Sequence, residues 1–437
     1  MNIQKNEQET PTQSKRRLRK VAAATIVGSM LEWYDFYLYA TMASIVFSKI
    51  FFNAADPTTA SLQAFATFAI GFVARPIGGL FFGYFGDRYG RKRMLFVTFC
   101  MMGLCTTAIG LLPSYATAGV WSPLCLVIIR IVQGLGAGAE LAGAAVTSYE
   151  HAADNKKGRQ GAWPALGLNL GLLLSSLTVY LLTVNGEQFM LAGGWRIPFL
   201  LSFLLVIVGL WVRRSLPETP EYQQFEEHHQ HKRPFHELWK TNTKGLAVVF
   251  FVAIGYNALS YIFKTFSLAY LTQFKSVSPS VTSLSVTLAS LVAIFSVPLF
   301  GYLCDRFSSK KVLIVGGVLS ALFAYPFMQL LGTGQSVPIY VALIIGTGLL
   351  APMMFAPQGS FLSRQFAVQS RSTGVGSARE IGTAIAGGIA PLWALSMVAR
   401  SASHDTKGVA LILTCSGILV AFAACFDQGY RFNRHKN

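Results

Sequence analysis

Ionisable side chains in this chain occur where they should be scarce. Glu32, Asp35, Arg75, Arg130, Glu140, Lys264 and the adjacent pair Arg379 and Glu380 all fall inside long apolar stretches. An ionisable group near the middle of a bilayer is costly, and it marks a substrate path, an ion path or a proton relay. Glu32 and Asp35 are three residues apart, which puts them on one face of a helix, with Tyr39 further along that face. They are candidate proton acceptors, with a structural polar patch as the plainer alternative. Glu140 is a candidate proton relay or a brace for an inner gate. Glu380 is a second candidate proton site. It neighbours Arg379, and adjacent helical residues point about 100° apart, so the two cannot face one partner directly.

The cations suggest an anionic ligand. Arg75 immediately precedes Pro76, and its guanidinium fork suits a carboxylate, whether on a ligand or on an internal acid such as Glu32. Arg130 shares a face with Gln133, Gly134 and Ala137 and needs a carboxylate or a watery cavity opposite it. Tyr256, Asn257, Tyr261 and Lys264 follow at helical spacing and bring hydroxyl, amide and ammonium donors fit for a hydroxylated acid; Lys264 could instead snorkel to an interface. Gln358 and Arg379 are further candidate contacts. Trp33, Tyr34, Tyr37 and Tyr256 offer aromatic faces should the ligand carry a quaternary ammonium.

The elements that position these groups follow from composition. The chain has 437 residues, 53% of them hydrophobic and 13% charged, with a mean hydropathy of +0.47. Soluble domains carry about 25% charged residues. Apolar runs near bilayer-crossing length, about 20 residues, follow one another at 21–51, 60–86, 93–112, 122–149, 159–184, 195–214, 245–272, 281–304, 311–331, 337–362, 371–399 and 406–426. These predict an all-α integral membrane protein with twelve transmembrane helices. The first run is longer than a leader core and lacks a convincing cleavage site, so it reads as a span. Four of the 36 Lys and Arg residues fall within spans: Arg75, Arg130, Lys264 and Arg379. With the N-terminus inside, only Lys49, Arg196, Lys275, Arg400 and Lys407 face outward. That asymmetry is the positive-inside rule, and it places both termini in the cytoplasm. The net charge of +17 is thus a topology signal for a lipid bilayer, not a nucleic-acid footprint.

The loop from Phe82 to Leu95 recurs 218 residues later, from Phe300 to Leu313, with Gly83, Asp87, Arg88 and Lys92 returning as Gly301, Asp305, Arg306 and Lys310. This duplication predicts two pseudo-symmetric six-helix bundles, 21–214 and 245–426. A polar tail (1–20), a polar linker (215–244) and a second tail (427–437) complete the chain, and linker and tails are expected to be cytoplasmic. Six cysteines and the linker histidines show no metal-ligand spacing. No nucleotide loop is evident, and no span contains histidine. Gly134, Gly136 and Gly138 lie in an apolar span with no strand before them, so they suit close helix packing rather than a phosphate cradle. Nothing calls for a cofactor or an enzymatic activity.

The loop Gly83-Tyr-Phe-Gly-Asp87-Arg88-Tyr-Gly90-Arg91-Lys92-Arg93 resembles the signature loop of the major facilitator superfamily. Arg130-Ile-Val-Gln133-Gly134-Leu-Gly136-Ala-Gly138 resembles its fourth-helix motif, and Pro217-Glu-Thr-Pro-Glu221 a motif that closes its sixth helix. Leu31-Glu-Trp-Tyr-Asp-Phe36, Gly71-Phe-Val-Ala-Arg-Pro-Ile-Gly-Gly79 and Gly194-Trp-Arg-Ile-Pro198 are similar to the metabolite:proton symporter branch, which includes shikimate, 2-oxoglutarate, citrate and proline/betaine carriers. The resemblance implies a bacterial inner-membrane carrier with one translocation path per chain, working as a monomer. It implies symport of a small organic acid with protons, or uptake of a zwitterionic osmolyte, or proton-exchanging efflux. It suggests Arg130 as the partner of Asp35, and Gly83, Asp87, Arg88, Gly90, Arg91 and the second copy's Asp305 and Arg306 as a cytoplasmic gate. Ser308 and Ser309 replace Gly90 and Arg91 in that second copy, which implies a weaker latch there. Many members of the branch are uncharged where this chain has Glu380.

Overall fold

The computed structural model describes residues 11–52, 57–89, 91–138, 140–150, 152–214, 242–366, 371–401 and 404–428; among these the chain is helical almost throughout, without strands. The helices are α1 (Pro11–Met42), α2 (Pro57–Tyr89), α3 (Arg91–Leu111), α4 (Trp121–Ala137, resuming as Glu140–Glu150), α5 (Lys157–Thr183) and α6 (Arg196–Arg214). The second half continues with α7 (Thr243–Phe274), α8 (Pro279–Phe307), α9 (Ser309–Gly332), α10 (Ser336–Ser363), α11 (Arg371–Thr383 and, after a π-helical turn, Ile389–Arg400) and α12 (Lys407–Cys425). Among the described residues, nine helices are long and apolar enough to cross a bilayer, Phe96–Leu111 and Trp121–Ala137 are shorter apolar helices, and α1 completes the twelve. α1 starts at Pro11, well before the expected boundary, so the basic run Lys15–Lys20 is helical. Lys, Arg and Gln are good helix formers, and hydropathy reports where lipid begins rather than where the helix does. Residues 1–10, most of the expected linker (215–241) and residues 429–437 lie outside the described residues.

The duplication is visible in the packing. α1 packs on α5, α2 on α4 and α3 on α6; six helices later α7 packs on α11, α8 on α10 and α9 on α12. The halves meet where α2 packs on α11 and α5 on α8, contacts that exchange under the same repeat. α3, α6, α9 and α12 present exposed apolar side chains such as Leu104, Trp211, Leu322 and Phe422. With hydrocarbon as the solvent, such faces need no polar cover. α1, by contrast, is buried on every side from Leu31 to Phe47.

Two local features set up the interior. The span expected at 122–149 leaves regular helix at Gly138, where α4 presses on α2. A Cβ on Gly138 would stand 1.9 Å from the Arg75 carbonyl oxygen, and one on Gly134 would stand 2.1 Å from that of Gly71. These glycines therefore bring two backbones into contact, as the packing reading requires. π-helical turns occur at Ala43–Phe47, after α1, and at Ile262–Phe266, within α7, at equivalent places in the two halves. Such turns are frequent at functional sites, and the second contains Lys264.

Candidate functional site

The acids and cations expected from the sequence meet at the interface between the halves, though not in the expected pairs. Arg75 donates from Nη2 to Glu32 at 2.9 Å and from Nε to Glu380 of α11 at 3.0 Å, and all three side chains are buried. Trp33, Phe36 and Phe72 surround the guanidinium at 5.9, 4.9 and 5.5 Å from their ring centres. Of the two roles the sequence left open for Arg75, internal pairing is the one formed. A buried cation held by two acids is compensated in charge, yet Nη1 of Arg75 and Oε1 of Glu380 have no hydrogen-bond partner.

Glu32 and Asp35 lie on one face of α1 but take different hydrogen-bond partners. Residues three apart differ by about 60° around a helix axis, and α1 has protein on all sides. Glu32 therefore reaches α2 while Asp35 turns into the first half, where Ser202 of α6 donates to it at 3.1 Å. A small cavity lined by Leu31, Phe99, Met102 and Val206 adjoins Asp35 there. The suggested Asp35–Arg130 ion pair is not formed. The Arg130 guanidinium lies 3.9 Å from the centre of the Tyr39 ring, donates to Gln133 Oε1, and donates to the Phe68 carbonyl at 3.3 Å. Gln133 in turn donates to Thr106 at 2.7 Å, and Thr106 lies beside Asp35. Acid and guanidinium are joined through two polar side chains instead of directly. Gln133 was legible as a neighbour of Arg130 by spacing; nothing in the sequence singles out Ser202 or Thr106. Glu140 is buried at the start of the second segment of α4. Tyr34 donates to the Pro198 carbonyl at 2.9 Å inside the first half, which removes it from the candidate ligand contacts.

The second half supplies the remaining groups. Lys264 is buried rather than snorkelling, and donates to Tyr37 Oη of the first half at 2.9 Å and to Ser260 Oγ at 3.0 Å. Tyr261 sets its ring edge-on to Phe68 and Phe72 across the interface, with its hydroxyl unpartnered. Asn257 donates to the Ala253 carbonyl and to Thr383, committed to its own half. Tyr256 stacks on Phe355 at 5.0 Å. Arg379 lies 5.4 Å from the same Phe355 ring, and lines a pocket with Gln358, Gly161 and Pro164 that draws on both halves.

The halves also meet at the end that carries the duplicated loops. Asp305 accepts from the backbone N–H groups of Gly158 and Arg159 at 2.6 and 3.3 Å, and pairs with Arg159 Nε at 3.4 Å. An aspartate of α8 thus caps the N-terminus of α5, where the helix dipole favours negative charge. The second copy therefore ties the two halves directly through Asp305. Arg306 does not take part, because it is exposed and lies over its neighbour Phe307. Gly90 and the side chains of Asp87, Arg88 and Arg91, with the surroundings of Gly83, lie outside the described residues. A further tie between the halves, Arg371 to Glu150 at 3.0 Å, carried no signal in the sequence.

Known proteins place this architecture. The sugar (and other) transporter family matches residues 21–248 and the major facilitator superfamily matches residues 249–435. The inner membrane metabolite transport protein YhjE of Escherichia coli K12 is 38% identical over 88% of this chain and 89% of its own. The chain belongs to the major facilitator superfamily. Among its relatives, this major facilitator is 35% identical to the shikimate transporter of Escherichia coli K12, over 94% of the chain and 95% of that protein. It is 34% identical to the glycine betaine/proline/ectoine/pipecolic acid transporter OusA of Dickeya dadantii, over 85% of the chain and 76% of the relative. A D-xylose–proton symporter structure shares its fold at a TM-score of 0.73 and 17% identity, over 94% of this chain and 97% of the other. This major facilitator is accordingly a multi-pass membrane transporter of small molecules, not an enzyme.

Proposed function

We propose that the transporter carries a small organic acid together with protons, by alternating access of its two halves around the interface that holds Arg75, Lys264 and Glu380. The observation that carries this reading is Lys264, a buried ammonium at the interface whose bonds go to hydroxyls and not to a carboxylate. A carboxylate ligand is the natural complement of such a group. Support comes from the shikimate transporter among the relatives. Asp35, Glu32, Glu380 and Glu140 are the intramembrane acids available to a proton, with Arg130 placed to respond to the charge of Asp35 through Gln133 and Thr106. Tyr256, Tyr261, Gln358 and Arg379 are the remaining ligand contacts, and Asn257 a supporting one.

The proton is the only coupling ion in this scheme, with no cofactor and no nucleic-acid partner. The chain works as a monomer in a bacterial inner membrane, with both termini and the 215–244 linker in the cytoplasm. Bundles 21–214 and 245–426 then rock against each other, and the Asp305 latch closes the cytoplasmic side. Osmolyte uptake, the activity named for OusA, is less well supported. Of the aromatic faces open to a quaternary ammonium, Trp33 lies against Arg75, Tyr34 is bonded to the Pro198 carbonyl, Tyr37 accepts from Lys264 and Tyr256 stacks on Phe355.

The test is uptake into proteoliposomes under an inward proton gradient, with shikimate, 2-oxoglutarate, citrate, proline and betaine as the panel. Protonophore-sensitive accumulation of an acid is the expected result. Accumulation of betaine or proline alone selects the osmolyte reading, and outward flux alone selects efflux.

A further inference from the structure

We infer that Lys264 is the docking point for a single substrate carboxylate, and that the ligand replaces the Tyr37 hydroxyl there, so that binding itself releases a bond between the two halves. This deepens the organic-acid reading and rests on it. Arg75 and Lys264 differ in what they already hold. Arg75 is engaged by both Glu32 and Glu380, so it has no uncompensated charge to offer a second acid. Lys264 makes no ion pair; both of its contacts are neutral hydroxyls, Tyr37 at 2.9 Å and Ser260 at 3.0 Å. An ammonium gains more from a carboxylate than from a phenol, because the carboxylate adds the attraction of an opposite full charge in a low-dielectric interior.

The two hydroxyls are not equivalent. Ser260 lies one turn before Lys264 on α7 and moves with it, whereas Tyr37 belongs to α1 in the other half. Exchanging Tyr37 for a ligand leaves Lys264 satisfied and removes a tie across the interface. The unpartnered polar atoms around this point say what else the ligand carries. The Tyr261 hydroxyl, one turn from Lys264, has no partner and lies within electrostatic reach of Tyr37 and Arg75, and Nη1 of Arg75 is also unpartnered. These atoms can bind hydroxyl or carbonyl oxygens, but the compensated Arg75 triad does not attract a second anion. Beside Lys264 and Arg75 the site therefore takes a single carboxylate with hydroxyl groups around it, in preference to a second carboxylate there.

The test measures the KM of proton-driven shikimate uptake in proteoliposomes holding the full chain, with citrate as competitor. Lys264→Gln should raise KM by at least about tenfold, the loss of one charge-assisted bond. Lys264→Arg, which keeps the charge if the glutamine variant folds poorly, should raise it less. Tyr37→Phe removes the competing hydroxyl and should lower KM by about two- to fivefold, an improvement that a merely structural tyrosine would not give. Citrate should inhibit more weakly than unlabelled shikimate. A Lys264→Gln KM within twofold of wild type, a raised KM for Tyr37→Phe, or stronger inhibition by citrate overturns the inference. Wild-type uptake of citrate without shikimate overturns it as well but leaves the organic-acid reading standing; wild-type uptake of no acid defeats that reading itself.

Discussion

Arg75 of α2 reaches across the interface to Glu380 of α11 at 3.0 Å, and this bond joins the two halves deep inside the protein. Because Glu32 holds the same guanidinium at 2.9 Å, Arg75 is the hub of the buried charge network, and losing it strands two acids at once.

Arg75→Gln should therefore destabilise the protein by about 3–5 kcal/mol, the cost of breaking a buried pair from one side. Glu380→Gln should cost less, since Glu32 remains. The double variant should recover part of the loss, because partners in one network are not additive. Thermal unfolding of the purified variants, read as a double-mutant cycle, checks this; additive losses would show that Arg75 and Glu380 act independently.

Asp305 ties α8 to the N-terminus of α5 at the end with the duplicated loops. Removing a capping aspartate costs about 1 kcal/mol, roughly a fivefold shift in a two-state balance. Cys304 supplies a native reporter: it is buried, and a Cβ on Gly158 of the other half would stand 2.7 Å from its own Cβ. In a background with the other five cysteines replaced, Asp305→Ala should speed maleimide labelling of Cys304 several-fold. An unchanged rate would mean that Asp305 does not hold the halves together.

Backbone geometry predicts two opposite effects. Ser308 sits at φ 114°, a conformation that favours glycine, and it caps α9 through its hydroxyl to Lys311 N–H at 3.4 Å. The first copy has Gly90 at this place. Ser308→Gly relieves strain of about 1–3 kcal/mol and forfeits only a few tenths of capping, so it should raise the melting temperature. Gly138→Ala has no room beside the Arg75 carbonyl and should lower the melting temperature, through a destabilisation of about 1–3 kcal/mol or more. A melting temperature that moves the other way in either variant contradicts the corresponding assignment.

Asp35→Asn should leave counterflow of substrate between two equal pools intact and abolish accumulation driven by a proton gradient. Wild-type accumulation should rise as the outside is acidified, and the variant should be indifferent to that change. A variant that still concentrates substrate against a gradient would pass the proton role to Glu32, Glu380 or Glu140.

Much of this protein is written in one dimension. Twelve apolar runs and the 218-residue repeat sufficed for the membrane architecture, because a bilayer leaves a chain few choices. Backbone groups must be satisfied within each helix, and lipid selects apolar faces. The cost of burying charge also marked which residues matter: Glu32, Asp35, Arg75, Arg130, Lys264, Arg379 and Glu380 stood out by type and place alone. What the sequence could not supply was who meets whom. Spacing put Glu32 and Asp35 together, but a helix buried on all sides gives neighbours 60° apart different partners. The Arg75–Glu380 and Lys264–Tyr37 bonds join residues 305 and 227 positions apart. No local pattern encodes such pairs; they exist only where the repeat folds α2 against α11 and brings α1 beside α7. Even the end of a helix could mislead: α1 runs back to Pro11 because helix propensity does not stop where the lipid does. Side-chain type determined the chemistry available, and tertiary packing decided which cation pairs with acids and which meets only hydroxyls.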